Sequence, residues 1–189
     1  MEIPPQTVRL NDGRSAALRS LTARDAPQLI RYLLAMSAAT EYMTRYPEEV
    51  DADPASQAAR LSAAAQSRTN AFWGCFVQGR LVGNLGLYQA EDRLRTRHRC
   101  TVGLGVLPGW QGLGIGTALL RGALDCARAA GYEQMELTVV TENAPARHLY
   151  EKLGFAVTGT IPHAYKNKAG RYYDFYYMVC PLAAEPPQP

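Results

Sequence analysis

No hydrophobic stretch of this 189-residue chain approaches the roughly 20 residues that a helix needs to cross a bilayer. Met1-Glu2-Ile3-Pro4-Pro5 has neither the basic start nor the apolar core of a secretory leader. A cytoplasmic protein with no membrane partner is expected. Cysteine is sparse: Cys75, Cys100, Cys126 and Cys180 lie far apart, never as C-x-x-C, each in an apolar segment. That spacing argues against a disulfide framework, a zinc site or a redox motif and for buried, reduced thiols, so no metal is expected. A net charge of +3 is too small, without a clustered patch, to argue for a nucleic-acid partner. Lysine is rarer still, with only Lys152, Lys166 and Lys168 among the 20 basic residues.

The length suits one domain, placed at residues 7–182 between flexible ends at 1–6 and 183–189. Thr7–Leu10 and Ser15–Arg19 flank the turn signal Asp12-Gly13. Thr22 and Asp25 form a capping-box variant before a helix that runs to about Ala38, and Asp53-Pro54 opens a second helix ending near Gln66. Between them lies an acidic, aromatic loop, residues 41–53. Phe72–Val77 and Leu81–Tyr88 read as a hairpin, followed by a strand over Arg99–Leu107. Arg93, Arg95, Arg97 and Arg99 alternate with other residues, as on a hairpin extension with a solvated basic edge. A helix over Thr117–Ala130, a strand over Met135–Val140, a short helix from Asn143 to Gly154, and strands Ala156–Ile161 and Tyr172–Cys180 complete the chain. His163, Lys166, Lys168 and Gly170 fall in the polar connection between the last two strands.

The most informative stretch is Gln111-Gly112-Leu113-Gly114-Ile115-Gly116, between an apolar strand and an amphipathic helix. Three glycines in five residues leave backbone N–H groups bare at a helix N-terminus, a favourable seat for a phosphate or pyrophosphate. No lysine follows Gly116, which excludes a P-loop, and the glycine spacing is not G-x-G-x-x-G.

Gln111, Gly114 and Gly116 do match Q/R-x-x-G-x-G/A, and with the later run from Glu142 to Phe155 the chain resembles the GCN5-related N-acetyltransferases. Together with their flanking strands the two motifs cover roughly half the chain. The resemblance implies a single-domain α/β (mixed α+β) acyl-CoA N-acyltransferase fold. Its central sheet is mostly antiparallel, with a splayed parallel strand pair and about four flanking helices. The implied cofactor is acetyl-CoA, the acyl donor. Leu104, Gly105 and Val106 would pair with its pantetheine arm. Gln111, Gly112, Leu113, Gly114, Ile115, Gly116 and Thr117 would surround its pyrophosphate, and Asn143 would contact the arm. Acyl transfer to a neutral amine passes through an oxyanion and releases a thiolate, so it benefits from an N–H donor and a proton source. The resemblance places the donor near Val106 and makes Tyr150 the general acid.

Two positions depart from the family pattern. Leu113 stands where a basic residue is frequent, so the pyrophosphate would depend more on backbone N–H groups and the helix terminus. Arg99–Val106 holds no carboxylate, which leaves the general base unassigned among Glu91, Asp92, His98, His163 and Asp174. For the acceptor, Glu41, Glu48, Glu49, Asp51 and Asp53 would suit a cationic amine, whereas Lys166, Lys168 and Arg171 would suit a carboxylate-bearing amino acid. The expected partner is a small-molecule amine, with the protein a monomer or homodimer. The alternatives are a peptide N-terminal or lysine acetyltransferase, a non-catalytic CoA-binding or sensing module, and a nucleotide-binding regulator.

Overall fold

The structure, a computed structural model, describes residue 1 and residues 3–183. Residue 2 and residues 184–189, which belong to the ends expected to be flexible, lie outside that range. The described residues form β1 (Gln6–Arg9), β2 (Ser15–Ser20), α1 (Ala26–Ala39), α2 (Pro54–Gln66), β3 (Ala71–Val77), β4 (Arg80–Gln89) and β5 (Arg99–Val106). Then follow α3 (Ile115–Ala129), β6 (Gln134–Val140), α4 (Ala144–Lys152), β7 (Ala156–Lys166) and β8 (Tyr172–Pro181). This is the element order expected from the sequence. The strands lie in the order β1-β2-β3-β4-β5-β6-β8-β7, with β5 and β6 parallel. No helix among the described residues is long and apolar enough to cross a membrane.

The chain divides into two compact units, and β5 and α3 each contribute to both. The first holds residues 1–88 and 103–123. Its core gathers Leu29, Leu33 and Met36 of α1, Leu61 of α2, Phe72, Phe76 and Leu81 of the β3–β4 hairpin, and Leu107. The amphipathic spacing of α1 delivers those side chains to one face. The entry to α1 is fixed by Asp25, whose carboxylate accepts from Thr22 N at 2.8 Å and Thr22 Oγ1 at 2.9 Å. It also receives both arms of Arg19, at 2.8 and 2.7 Å. Burial alone would raise the Asp25 pKa, but these bonds outweigh it and hold it at about 2. At α2 the expected cap is present, with Asp53 accepting from Ala55 N at 3.0 Å and Ser56 N at 3.2 Å.

The second unit holds residues 89–102 and the chain from Leu124 onward. Here the β5–β6 ladder consists of three pairs, Arg99–Gln134, Cys100–Met135 and Thr101–Glu136. Beyond them β6 continues against β8 as far as Val140 paired with Phe175. Met135 and Met178 are fully enclosed, and Phe155 closes the core below α4. All four cysteines are free thiols; three are buried and Cys126 is partly so.

Two expectations are corrected. The arginine-rich run 93–98 is not a strand pair: Ala90 N still donates to Arg99 O, but Thr96 N turns back to Arg93 O and Arg99 N to Thr96 O. Local turn bonds take the place of a ladder, and alternation of charge alone could not reveal that. Conversely, β7 extends five residues past Ile161. The pairing skips between Ile161 and Tyr165, His163 takes φ of 51°, and pairing resumes with Tyr165 opposite Tyr173, their rings stacked at 4.6 Å. Pro162 and the polar residues around it disguised the continuation. His163 and Lys166 are therefore strand residues, not part of the connection.

Candidate active site

The glycine loop belongs to the first unit. Ahead of it, Gly103 is exposed and Leu104, Gly105 and Val106 are only half-buried, although β5 is the fifth of eight strands. An interior strand whose second half meets solvent has backbone groups to offer a ligand. Gly105 O lies 3.5 Å from where a Cβ on Gly83 of β4 would stand, so that carbonyl faces β4. C=O and the following N–H point in opposite directions across a trans peptide, so Val106 N–H faces away from β4. Gly105 is itself constrained, since a Cβ there would stand 2.8 Å from the Tyr32 hydroxyl oxygen and 3.2 Å from Met36 Cε.

Past β5, Leu107 N donates to Val82 O at 2.9 Å, and Gln111 Nε2 returns to Val106 O at 3.1 Å, tying the loop to its strand. Gly112 and Gly114 have φ of 74° and 87°, in the left-handed region that side chains disfavour. The loop then enters α3 at Ile115, which is fully buried. A Cβ on Gly83 would come within 2.9 Å of the Ile115 side chain, so a bare strand position lets the helix start approach closely. The first bond of the helix is Ala118 N to Gly114 O at 3.0 Å. The N–H groups of Ile115, Gly116 and Thr117 precede it and have no intrahelical acceptor. Leu113 is half-buried and brings no charge. A glycine-rich stretch, with several N–H donors that have no intrahelical acceptor at a helix N-terminus, fits a pyrophosphate.

Asn143 and Tyr150 belong to the second unit, at opposite ends of α4. Asn143 Oδ1 accepts from Ala146 N at 3.3 Å, while its own N–H donates to Val140 O at 2.9 Å. The side chain is a helix cap and stays half-exposed. Tyr150 is 7 % exposed, its ring tilted against Phe155 with 5.8 Å between centroids. Its carbonyl receives Leu153 N and Phe155 N as the chain leaves the helix through Gly154, φ 94°. Burial pushes the phenol up to about 12, so it keeps its proton throughout the ordinary pH range.

A family model for the acetyltransferase (GNAT) family matches residues 35–155, which takes in the open half of β5, the glycine loop, Asn143 and Tyr150. The chain is a member of the GNAT family. It is 35 % identical over 104 residues to the L-amino acid N-acetyltransferase AaaT of Escherichia coli K12, an alignment covering 54 % of this chain and 63 % of that relative. The chain thus spans less than two thirds of that relative's length. The GNAT-family acetyltransferase of Streptococcus pneumoniae superposes with a TM-score of 0.84 at 25 % identity, covering 89 % of this chain and 99 % of that one. A phosphinothricin acetyltransferase of Sinorhizobium meliloti, solved in complex with acetyl-CoA, gives 0.77 at 23 % identity over 88 % of each chain, a likeness of fold.

Against this GNAT framework the remaining polar residues sort themselves by their partners. In the acidic loop, Glu49 accepts from Tyr46 N, Asp51 from Asp53 N and Ser56 Oγ, and Asp53 caps α2. Three of the five carboxylates weighed for a cationic acceptor therefore bind their own segment. Among the candidate bases, Glu91 and Asp92 are exposed, and Asp174 accepts from His163 N at 2.7 Å. Among the described residues no group of three or more His, Cys, Asp or Glu is placed to hold a metal ion.

One residue escaped the sequence reading. Glu136, inside the apolar run of β6, is 1 % exposed and stands at the last pair of the β5–β6 ladder. It accepts from Nε and Nη2 of Arg99, from the Tyr177 hydroxyl, and from Gln134 Nε2 at 2.7 Å. Burial raises its pKa, but bonds from Arg99, Tyr177 and Gln134 outweigh that and lower it. An ionised carboxylate so fully engaged is an anchor for the parallel pair, not a base. The available signal was a lone charged residue in the otherwise uncharged run 135–140.

Proposed function

We propose that this protein is an acetyl-CoA-dependent N-acetyltransferase acting on the primary amine of a small molecule. The observation that carries the reading is the partly exposed second half of β5 leading, through residues 107–110, into a glycine-rich loop at the start of a 15-residue helix. Acetyl-CoA supplies the activated acetyl thioester. Backbone groups of Leu104, Gly105 and Val106 hold the pantetheine arm, and the N–H groups between Gly112 and Thr117 hold the pyrophosphate, with Gln111 fixing the loop to β5. Asn143 gives its exposed polar edge to the arm while capping α4. The amine attacks the thioester carbonyl directly, and Val106 N–H, turned away from β4, stabilises the oxyanion of the tetrahedral intermediate. Tyr150, protonated at all working pH values, hands its proton to the sulfur as the C–S bond breaks, and the proton shed by the attacking nitrogen restores the phenol.

For the acceptor we favour an amino acid with a free α-amino group. Its support is the likeness to the L-amino acid N-acetyltransferase, together with the engagement of the acidic loop by donors of its own segment. The test is release of free thiol from acetyl-CoA over a panel of L-amino acids, other primary amines and peptides. Turnover of an amino acid with loss of rate in Tyr150→Phe is expected. Saturable CoA binding with no turnover on any acceptor would overturn the enzyme reading in favour of a sensing module.

A further inference from the structure

Within the first unit, the turn between β1 and β2 is docked on the glycine loop. The turn is tightly built: Leu10 N donates to Arg14 O at 2.8 Å, Gly13 N to Leu10 O at 2.9 Å, and Asp12 accepts from Arg14 N at 3.0 Å. From it, Asn11 makes two bonds across about a hundred residues of sequence. Its backbone N–H donates to Leu113 O at 3.1 Å, and its side-chain Nδ2 donates to Gly112 O at 3.0 Å. Asn11 Oδ1 also stands 3.4 Å from where a Cβ on Gly114 would be, close to an ordinary contact, and it is the φ of 87° that reserves this position for glycine. A further contact lies beside it, with the Arg14 guanidinium 4.3 Å above the centre of the Trp110 ring.

The direction of these bonds matters more than their number. Gly112 O shares a peptide plane with Leu113 N–H, and Leu113 O shares one with Gly114 N–H. In a trans peptide the two groups point oppositely. By taking both carbonyls, Asn11 turns both N–H groups away from the β1–β2 turn, to the free side of the loop. We propose that Asn11 is a positioning residue for the cofactor: it holds Leu113 N–H and Gly114 N–H as fixed anion donors, in place of the positive charge that Leu113 lacks. The inference rests on the reading of this loop as the pyrophosphate seat of acetyl-CoA. Without the Asn11 side chain the Gly112–Leu113 peptide, beside a glycine at positive φ, is free to rotate, and the ligand must order it on binding.

Isothermal titration of CoA into the full chain tests this, alongside kinetics with two donors, acetyl-CoA and S-acetylpantetheine, which has no pyrophosphate. Asn11→Ala retains the backbone bond to Leu113 O and loses the one to Gly112 O. It is expected to weaken CoA binding about fivefold. The loss appears in KM for acetyl-CoA and not in kcat, and the preference for acetyl-CoA over S-acetylpantetheine falls by the same factor. Adding Leu113→Arg to that variant restores most of the affinity. Equal CoA affinity in wild type and Asn11→Ala, or an equal loss with both donors, overturns the proposal. A wild-type chain that binds no CoA overturns the cofactor reading as well. Should Asn11→Ala fold poorly, hydrogen exchange of the wild type decides: CoA must slow exchange at the Leu113 and Gly114 amides, and unchanged exchange there overturns the assignment.

Discussion

Tyr150 and Gly105 are single residues whose surroundings set measurable outcomes. Tyr150→Phe removes only the phenolic hydrogen and oxygen, so kcat should fall by about 10²-fold while the dissociation constant of CoA stays within twofold. Because burial holds the phenol near 12, the wild-type rate should show no alkaline decline from loss of that proton until the pH approaches that value. A decline centred near the usual tyrosine value would assign the proton to another group. At Gly105 the constraint is steric. Tyr32 is buried, so the hydroxyl that a new methyl would meet cannot simply swing into solvent. Gly105→Ala should cost about 1–2 kcal/mol in chemical unfolding, and distinctly less in a Tyr32→Phe background, where the colliding oxygen is gone. Equal costs in the two backgrounds would place the clash elsewhere.

At the scale of elements, the entry to α1 is an electrostatic latch. The Asp25 pKa is depressed from its ordinary 3.8 to about 2, so the stabilisation is complete above the ordinary value and is lost as pH falls from about 4 towards 2. Asp25→Asn should lower stability by about 1.5 kcal/mol at pH 7. That is less than for a sealed pair, because Arg19 keeps a third of its side chain in solvent. The difference from wild type should shrink when both are unfolded near pH 2. This latch was legible in advance, since Thr22 and Asp25 carry the spacing of a capping box. So were the loop and α4, because glycine, asparagine and proline announce turns and caps through their own backbone chemistry. What stayed hidden depends on partners distant in sequence. Glu136 reads as an interruption until Arg99, Gln134 and Tyr177 are seen around it. Asn11 reads as a hairpin turn until Gly112 and Leu113 are brought against it. The far end of β7 was missed because a bulge around His163 broke the alternation by which strands are recognised.

For the molecule as a whole, ligand linkage separates the cofactor reading from a general affinity for nucleotides. CoA at a hundred times its dissociation constant should add about 2.7 kcal/mol to unfolding stability, and ATP at the same concentration little. Differential scanning calorimetry reads both, and a larger effect of ATP would point to a nucleotide-binding regulator instead. β7 terminates the sheet and exposes Val157 and Ile161, an arrangement that invites another strand to add on. Pro162 has no N–H to lend such a visitor, and His163, in the left-handed region, throws the strand out of step beside it. The kink that concealed the end of β7 from its sequence thus also guards that edge, limiting any intruding chain to a few residues of continuous pairing.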